Sequence, residues 1–129
     1  MRPSDIEKLV QDRPGLSFTE LKENTGAANG QLQYHLRKAD VEKHGRGYVR
    51  GGYCEECQLK KICTGNCIRF HLRQHYNRKI LKELGKKKKL DMADELNITP
   101  SSLSFHIEQL EENNLIQNGE VNPLVRDII

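Results

Sequence analysis

The sequence of 129 residues contains no tryptophan, and its other aromatics are four Tyr and three Phe, so any core must be aliphatic. Long apolar runs are also missing. With 30% charged residues and a mean hydropathy of −0.75, no stretch approaches the roughly 18–20 apolar residues that a spanning helix requires. That excludes a membrane-spanning class. The start at Met1–Arg2–Pro3 lacks the apolar stretch of a signal peptide, and the expectation is a cytoplasmic chain with no membrane partner. No phosphate-cradling glycine loop and no nucleophile–base pattern stands out, so neither an enzyme nor a small-molecule substrate is expected. Cysteine is absent outside residues 54–67. Basic residues nearly vanish from the C-terminal end.

That last scarcity gives the charge a direction. Residues 90–129 hold Arg126 alone against eight Asp/Glu, a net −7, whereas residues 54–89 hold eleven Lys/Arg against three acids, a net +8. Residues 1–53 hold nine against seven, a net +2. The overall +3 therefore conceals a basic centre and an acidic end suited to different partners.

An internal repeat is present. Leu32–Gln33–Tyr34–His35–Leu36 matches Leu103–Ser104–Phe105–His106–Ile107 at an offset of 71 residues, and the same offset pairs Leu21 with Met92 and Ala39 with Leu110. Two similar units flank a central insert. In the first, Ile6, Leu9 and Val10 form an apolar helix face closed by Pro14–Gly15. Ser17 and Glu20 have capping-box spacing for a short helix to about Thr25. Gly26 makes a turn, and a third helix runs from about Asn29 to Asp40 with Leu32, Leu36 and Ala39 inward. Val41–His44, Gly45–Arg46–Gly47 and Tyr48–Arg50 read as strand, turn and strand. The second unit repeats the plan. A helix with Ile80, Leu81 and Leu84 ends at Gly85, and a short helix spans Leu90–Leu96. A third helix is capped by Thr99–Pro100, with Leu103, Ile107 and Leu110 inward, and a hairpin turns at Asn118–Gly119.

Short helix, turn, longer helix and hairpin resemble the winged helix-turn-helix fold. The stretches Pro14–Leu21 and Gly30–Leu36 look like archaeal tandem winged-helix transcriptional regulators related to the ArsR and MarR families. The fold expectation is mainly α with small β-hairpin wings. It comprises an N-terminal winged helix-turn-helix over 1–53, a four-cysteine metal-binding loop over 54–67, and a C-terminal winged helix-turn-helix over 68–129 with an extended first helix.

The resemblance implies that a third helix enters the major groove of double-stranded DNA while the wing follows the backbone. On this sequence the outward helix positions are Asn29, Gln31, Gln33, Tyr34 and Arg37, and the wing adds Lys43, Arg46 and Arg50. Asn and Gln can pair with adenine edges, and Arg with guanine or phosphate. The second third-helix presents Ser101, Ser102, Ser104, Phe105, Glu108, Glu111 and Glu112, without Lys or Arg. Ser101 and Ser104 could reach phosphate, but the glutamates repel it. Dimerisation or docking on a transcription-machinery partner is at least as well suited to this unit. His35 and His106 occupy matching positions and read as half-buried packing residues. Lys86, Lys87, Lys88 and Lys89 form a run that is either solvated or anchored on phosphates.

The four cysteines fall at Cys54-x2-Cys57-x5-Cys63-x3-Cys67. In a reduced compartment such clustering points to metal ligation rather than disulfides, with thiol redox sensing or a disulfide staple as the remaining alternatives. Four thiolates suit tetrahedral zinc or a [4Fe–4S] cluster. The spacing, with Gly65, resembles the SPASM segment of radical-enzyme accessory domains, which implies an iron–sulfur cluster in preference to zinc. Lys60, Lys61 and Arg69 could offset its charge, and Ile62 and Ile68 could shield it. Glu55 and Glu56 are expected to face water, and His71 and His75 to be exposed helix positions rather than ligands. After Cys67, the apolar steps Ile68, Leu72, Tyr76, Ile80 and Leu84 predict one long amphipathic helix. The function expected from this reading is a DNA-binding transcriptional regulator whose cysteine centre governs how the two winged helices sit. The alternative is a protein-docking module with structural zinc.

Overall fold

The computed structural model describes residues 1–74 and 76–129. The first helix, α1 (Pro3–Asp12), buries Ile6 and Val10. Ser17 caps α2 (Phe18–Thr25): its hydroxyl accepts from the Glu20 amide at 3.1 Å, and the Glu20 carboxylate accepts from the Ser17 amide at 3.1 Å. Each side chain satisfies an amide that the helix start would leave open. Gly26 ends α2 at φ +69°, a conformation in which a β-carbon is strained, and this lets the chain turn directly into α3 (Asn29–Lys38). Two strands follow, β1 (Val41–His44) and β2 (Gly47–Arg50), paired antiparallel from Val41 opposite Arg50 to His44 opposite Gly47. Tyr48 also bridges to Leu16, with its amide donating to the Leu16 carbonyl at 2.8 Å. Leu16, Leu21 and Leu32 complete an aliphatic core with the α1 residues.

A single helical turn, α4 (Tyr53–Glu56), then α5 (Ile68–Arg73) and α6 (Asn77–Glu83) lead into α7 (Lys89–Leu96) and α8 (Pro100–Glu112). Thr99 caps α8, its hydroxyl accepting from the Ser102 amide at 3.1 Å. The hairpin β3 (Ile116–Gln117) and β4 (Glu120–Val121) turns through Asn118 and Gly119, both at positive φ, as a two-residue turn matched to strand twist requires. A last turn, α9 (Pro123–Arg126), buries Val125. Leu103, Ile107 and Leu110 face a second core with Met92, Ile80 and Leu115. The residues paired at the offset of 71 thus play matching parts: Leu21 and Met92 are both buried, as are Leu32 and Leu103.

The long helix expected after Cys67 does not form. It is broken between α5 and α6, where Gln74 is extended and Tyr76 adopts φ +69°. The cause lies in the core. Leu72 and Leu81 are nine residues apart, two and a half turns, so a straight helix would put them on opposite faces. Both belong to the same buried cluster, and the break brings both into it. Asn77, itself buried, donates from Nδ2 to the His71 carbonyl at 2.8 Å, an acceptor that also takes the Gln74 amide at 3.2 Å.

Candidate DNA surface and cysteine site

Asn29, Gln31, Gln33, Tyr34 and Arg37 are all exposed on α3, because the opposite face carries buried Leu32 and half-buried Leu36 and Ala39. The capping of α2 and the turn at Gly26 set this face outward. Lys38, which the sequence did not single out, lies with Nζ 5.8 Å from the centre of the Tyr34 ring and adds a positive charge there. In the hairpin Lys43 and Arg46 are exposed. Arg50 is differently placed: it lies within 4 Å of the Glu7 and Asp40 carboxylates and donates to Gln11, so its charge is already engaged inside the chain.

On α8, Ser101, Ser104 and the glutamates 108, 111 and 112 are exposed, as is Phe105 at 58%. Ser102 is held by Thr99. The lysine run straddles a helix start, with Lys88 at the N-cap and Lys89 the first residue of α7. Lys87 is bound to Glu83 at 2.9 Å and to Glu95 at 2.5 Å, leaving Lys86, Lys88 and Lys89 as the exposed cations of the run without an ion pair among the described residues. His35 and His106 are half-buried. The first packs edge-on against Tyr34, the second against Tyr76 and Phe105.

Cys54, Cys57, Cys63 and Cys67 line one cavity of about 240 Å3, against the roughly 10–15 Å3 that a single water needs. All four are free thiols. Ile68, Leu59 and Tyr53 supply its apolar wall, and Lys60 and Arg69 its positive charge. Arg69 Nε is buried and has no hydrogen-bond partner among the described residues. Ile62, expected to shield the site, packs instead on the C-terminal core, and buried Leu59 takes that part. Glu55 and Glu56 are exposed, though Glu55 reaches the cavity rim. His71 lines a separate polar groove with Arg46, Phe70, His106 and Asn113, away from the thiols. His75 lies outside the described residues.

The cysteines divide between two packing environments. Cys57 and Cys63 rest on the C-terminal core, whereas Cys54 and buried Cys67 belong to a small cluster with Val49 of β2 and Phe70 of α5. Burial pushes the Cys67 and Cys54 thiols up, and for Cys54 the neighbouring Cys67, Cys57 and Cys63 raise it further. A cation bound among the four sulfurs would favour their thiolate forms. Among the described residues no three His, Cys, Asp or Glu donors meet closely enough to hold a single ion as they stand.

His44, at the end of β1, is a member of this site that the sequence did not reveal. Its Nδ1 is 3.8 Å from the Cys63 sulfur, and its carbonyl accepts from the Cys67 amide at 3.3 Å. Its position in a strand 19 residues before Cys63 carries no ligand-spacing signal. The loop is also fastened on its other side: Asn114 Nδ2 donates to the Ile62 carbonyl at 2.9 Å, and Asn113 Oδ1 accepts from Asn66 at 3.3 Å.

A family model described as an N-terminal HTH domain matches residues 2–50. No curated protein and no solved structure matches the chain. Residues 2–50 thus form a helix-turn-helix domain, with α2, Gly26 and α3 as its helix, turn and helix, an arrangement consistent with binding to double-stranded DNA. No helix among the described residues is long and apolar enough to cross a membrane.

Proposed function

We propose that the chain is a DNA-binding transcriptional regulator of the archaeal tandem winged-helix type, acting by binding rather than by catalysis. Its helix-turn-helix domain is the main reader of double-stranded DNA. The observation that carries this reading is the exposed polar face of α3, Asn29, Gln31, Gln33, Tyr34 and Arg37, within the residues that match the HTH family. Asn and Gln suit base edges, and Arg37 with Lys43 and Arg46 suits guanine or phosphate. Arg50, held by Glu7 and Asp40, contributes by keeping the hairpin on α1 rather than by direct contact.

In this reading the four cysteines hold a metal centre. The donor set, the flanking Lys60 and Arg69 and the apolar wall fit an anionic cluster. A zinc ion draws four sulfurs to about 2.3 Å from one point, whereas the roomy cavity leaves space for a larger [4Fe–4S] core, which we favour. Bound there, the centre would tie β2 to the C-terminal core, in which α5 already packs, and so set the placement of a second winged helix formed by α7, α8 and the β3–β4 hairpin. Such a regulator works inside the cell.

The test is fluorescence anisotropy with duplex DNA over a salt series, using anaerobically purified protein. Steep loss of affinity with salt, and its weakening in Arg37→Ala and Arg46→Ala, is the expected result. Unchanged affinity in both variants would overturn the DNA reading. A second reading has its own support: Phe105 stands exposed beside Glu108 and Glu112, a surface suited to a homodimer or a transcription-machinery partner rather than to phosphate.

A further inference from the structure

The hairpin of the helix-turn-helix domain does not project freely. Its turn is pressed onto the cysteine loop at His44 and Gly45, and onto Gly15 at Gly47. His44 touches two of the four cysteines, Cys63 with its ring and Cys67 with its carbonyl, and it lines the same cavity. Gly45, at φ +62°, sits so close to Asn66 that an added β-carbon would lie 2.6 Å from the Asn66 α-carbon. Gly47 is equally tight, since a β-carbon there would lie 2.8 Å from the Gly15 α-carbon. Gly15 in turn has room for no β-carbon, which would meet the Cys67 sulfur at 2.9 Å. Backbone therefore rests on backbone from Gly15 through the hairpin turn to residues 66 and 67. Between these contacts stands Arg46, exposed, with Lys43 on the preceding strand.

We infer that His44 is the positioning residue through which the cysteine centre fixes the hairpin, so that the centre regulates the phosphate grip of Lys43 and Arg46 directly. The inference rests on the metal reading given above. With Cys63 held as a thiolate in a centre, an Nδ1–H on His44 donates a charge-assisted hydrogen bond to that sulfur, much stronger than one to a neutral thiol. Such outer hydrogen bonds orient a ligand and report its state to the structure that supplies them. Because His44 is one residue from Lys43 and two from Arg46, and the turn has no slack against Asn66, loosening His44 moves both cations together.

The experiment uses the full chain, reconstituted anaerobically with iron and sulfide and, separately, with zinc, and compared with metal-free protein. The readouts are metal content, tryptic cleavage after Lys43 and Arg46, and the salt slope of binding to a mixed-sequence duplex. The expected result is slower cleavage of the loaded wild type, by about tenfold or more, as loss of a hydrogen bond to a charged group implies. Its salt slope should be steeper by about one or two, for the phosphates that Lys43 and Arg46 meet.

His44→Ala should keep its metal yet cleave and bind as the metal-free wild type does. His44→Asn, whose amide can donate from about the place of Nδ1, should restore most of the difference. Loaded His44→Ala that matches loaded wild type in both readouts overturns the inference and leaves the metal reading standing. Loss of metal from His44→Ala overturns it too, by making His44 a ligand. Wild type that takes up neither iron nor zinc overturns the metal reading itself.

Discussion

Arg73 of α5 donates from Nη1 to the Pro14 carbonyl at 2.6 Å, so a residue that follows the cysteines holds the α1–α2 connection of the helix-turn-helix domain. Its Nε lies 3.6 Å from the Glu20 carboxylate, the same group that caps α2. One guanidinium thus serves both the loop and the helix start that aim α3 outward. Replacing Arg73 with Ala should destabilise the fold by about 1.5–3 kcal/mol, the range for hydrogen bonds to charged groups. A urea unfolding series measures this; an unchanged midpoint would show the contact to be idle.

Asn77→Ala tests the break between α5 and α6. It removes the donor to the His71 carbonyl from a buried position and should cost about 1–3 kcal/mol. Asp at the same position should fail to rescue, since an ionised carboxylate can only accept. Thermal unfolding of the three proteins decides the matter, with Asp equal to Asn as the contrary outcome.

Gly45→Ala should distort the hairpin turn. A side chain at φ +62° costs about 1–2 kcal/mol by itself, and the added carbon collides with Asn66. The variant is expected to lose both stability and duplex affinity, with the affinity loss shrinking at high salt. Gly119→Ala, equally left-handed but with open space around its β-carbon, should lose stability alone.

In metal-free protein Cys67 should be the slowest of the four thiols to react with iodoacetamide at pH 7. It is the buried one, and burial raises its pKa, so little thiolate is present. Mass mapping of alkylated peptides over time gives the order. Cys67 modified as fast as Cys57 would contradict it.

Lys87 holds the Glu95 carboxyl below its usual range, first through its hydrogen bond. A depressed carboxyl pKa contributes stability above the unfolded value of about 4.5, which is lost as pH falls through the folded value. Both groups are exposed, so the effect is small and best read site by site. Carbon-detected NMR titration of Glu95 should show its pKa rising toward the ordinary value in Lys87→Ala. In duplex binding the same variant should matter less than Lys88→Ala, whose side chain has no ion pair among the described residues.

Much of the helix-turn-helix domain was legible in the sequence because its signals are local. The Ser17–Glu20 box, Gly26 at the turn and the spacing of Leu32 and Leu36 each act within four residues, and each appears where the pattern puts it. Thr99, Asn118 and Gly119 were readable for the same reason. The break after Cys67 is not legible in the four-residue apolar steps, which omit Leu81, because only the shared core decides which of two competing faces is buried.

By itself, then, the sequence determined the capped helices of the two units, the turns at Gly26 and Asn118–Gly119, and the clustering of four cysteines, all set by short-range geometry and residue type. Tertiary structure decided which charges are free and which are spent: Arg50 on Glu7 and Asp40, and Lys87 on Glu83 and Glu95. It also decided that His44 belongs beside Cys63, because a strand end meets a distant loop only once two cores have packed. Proximity of that kind has no period and no motif; it comes from long-range contact alone.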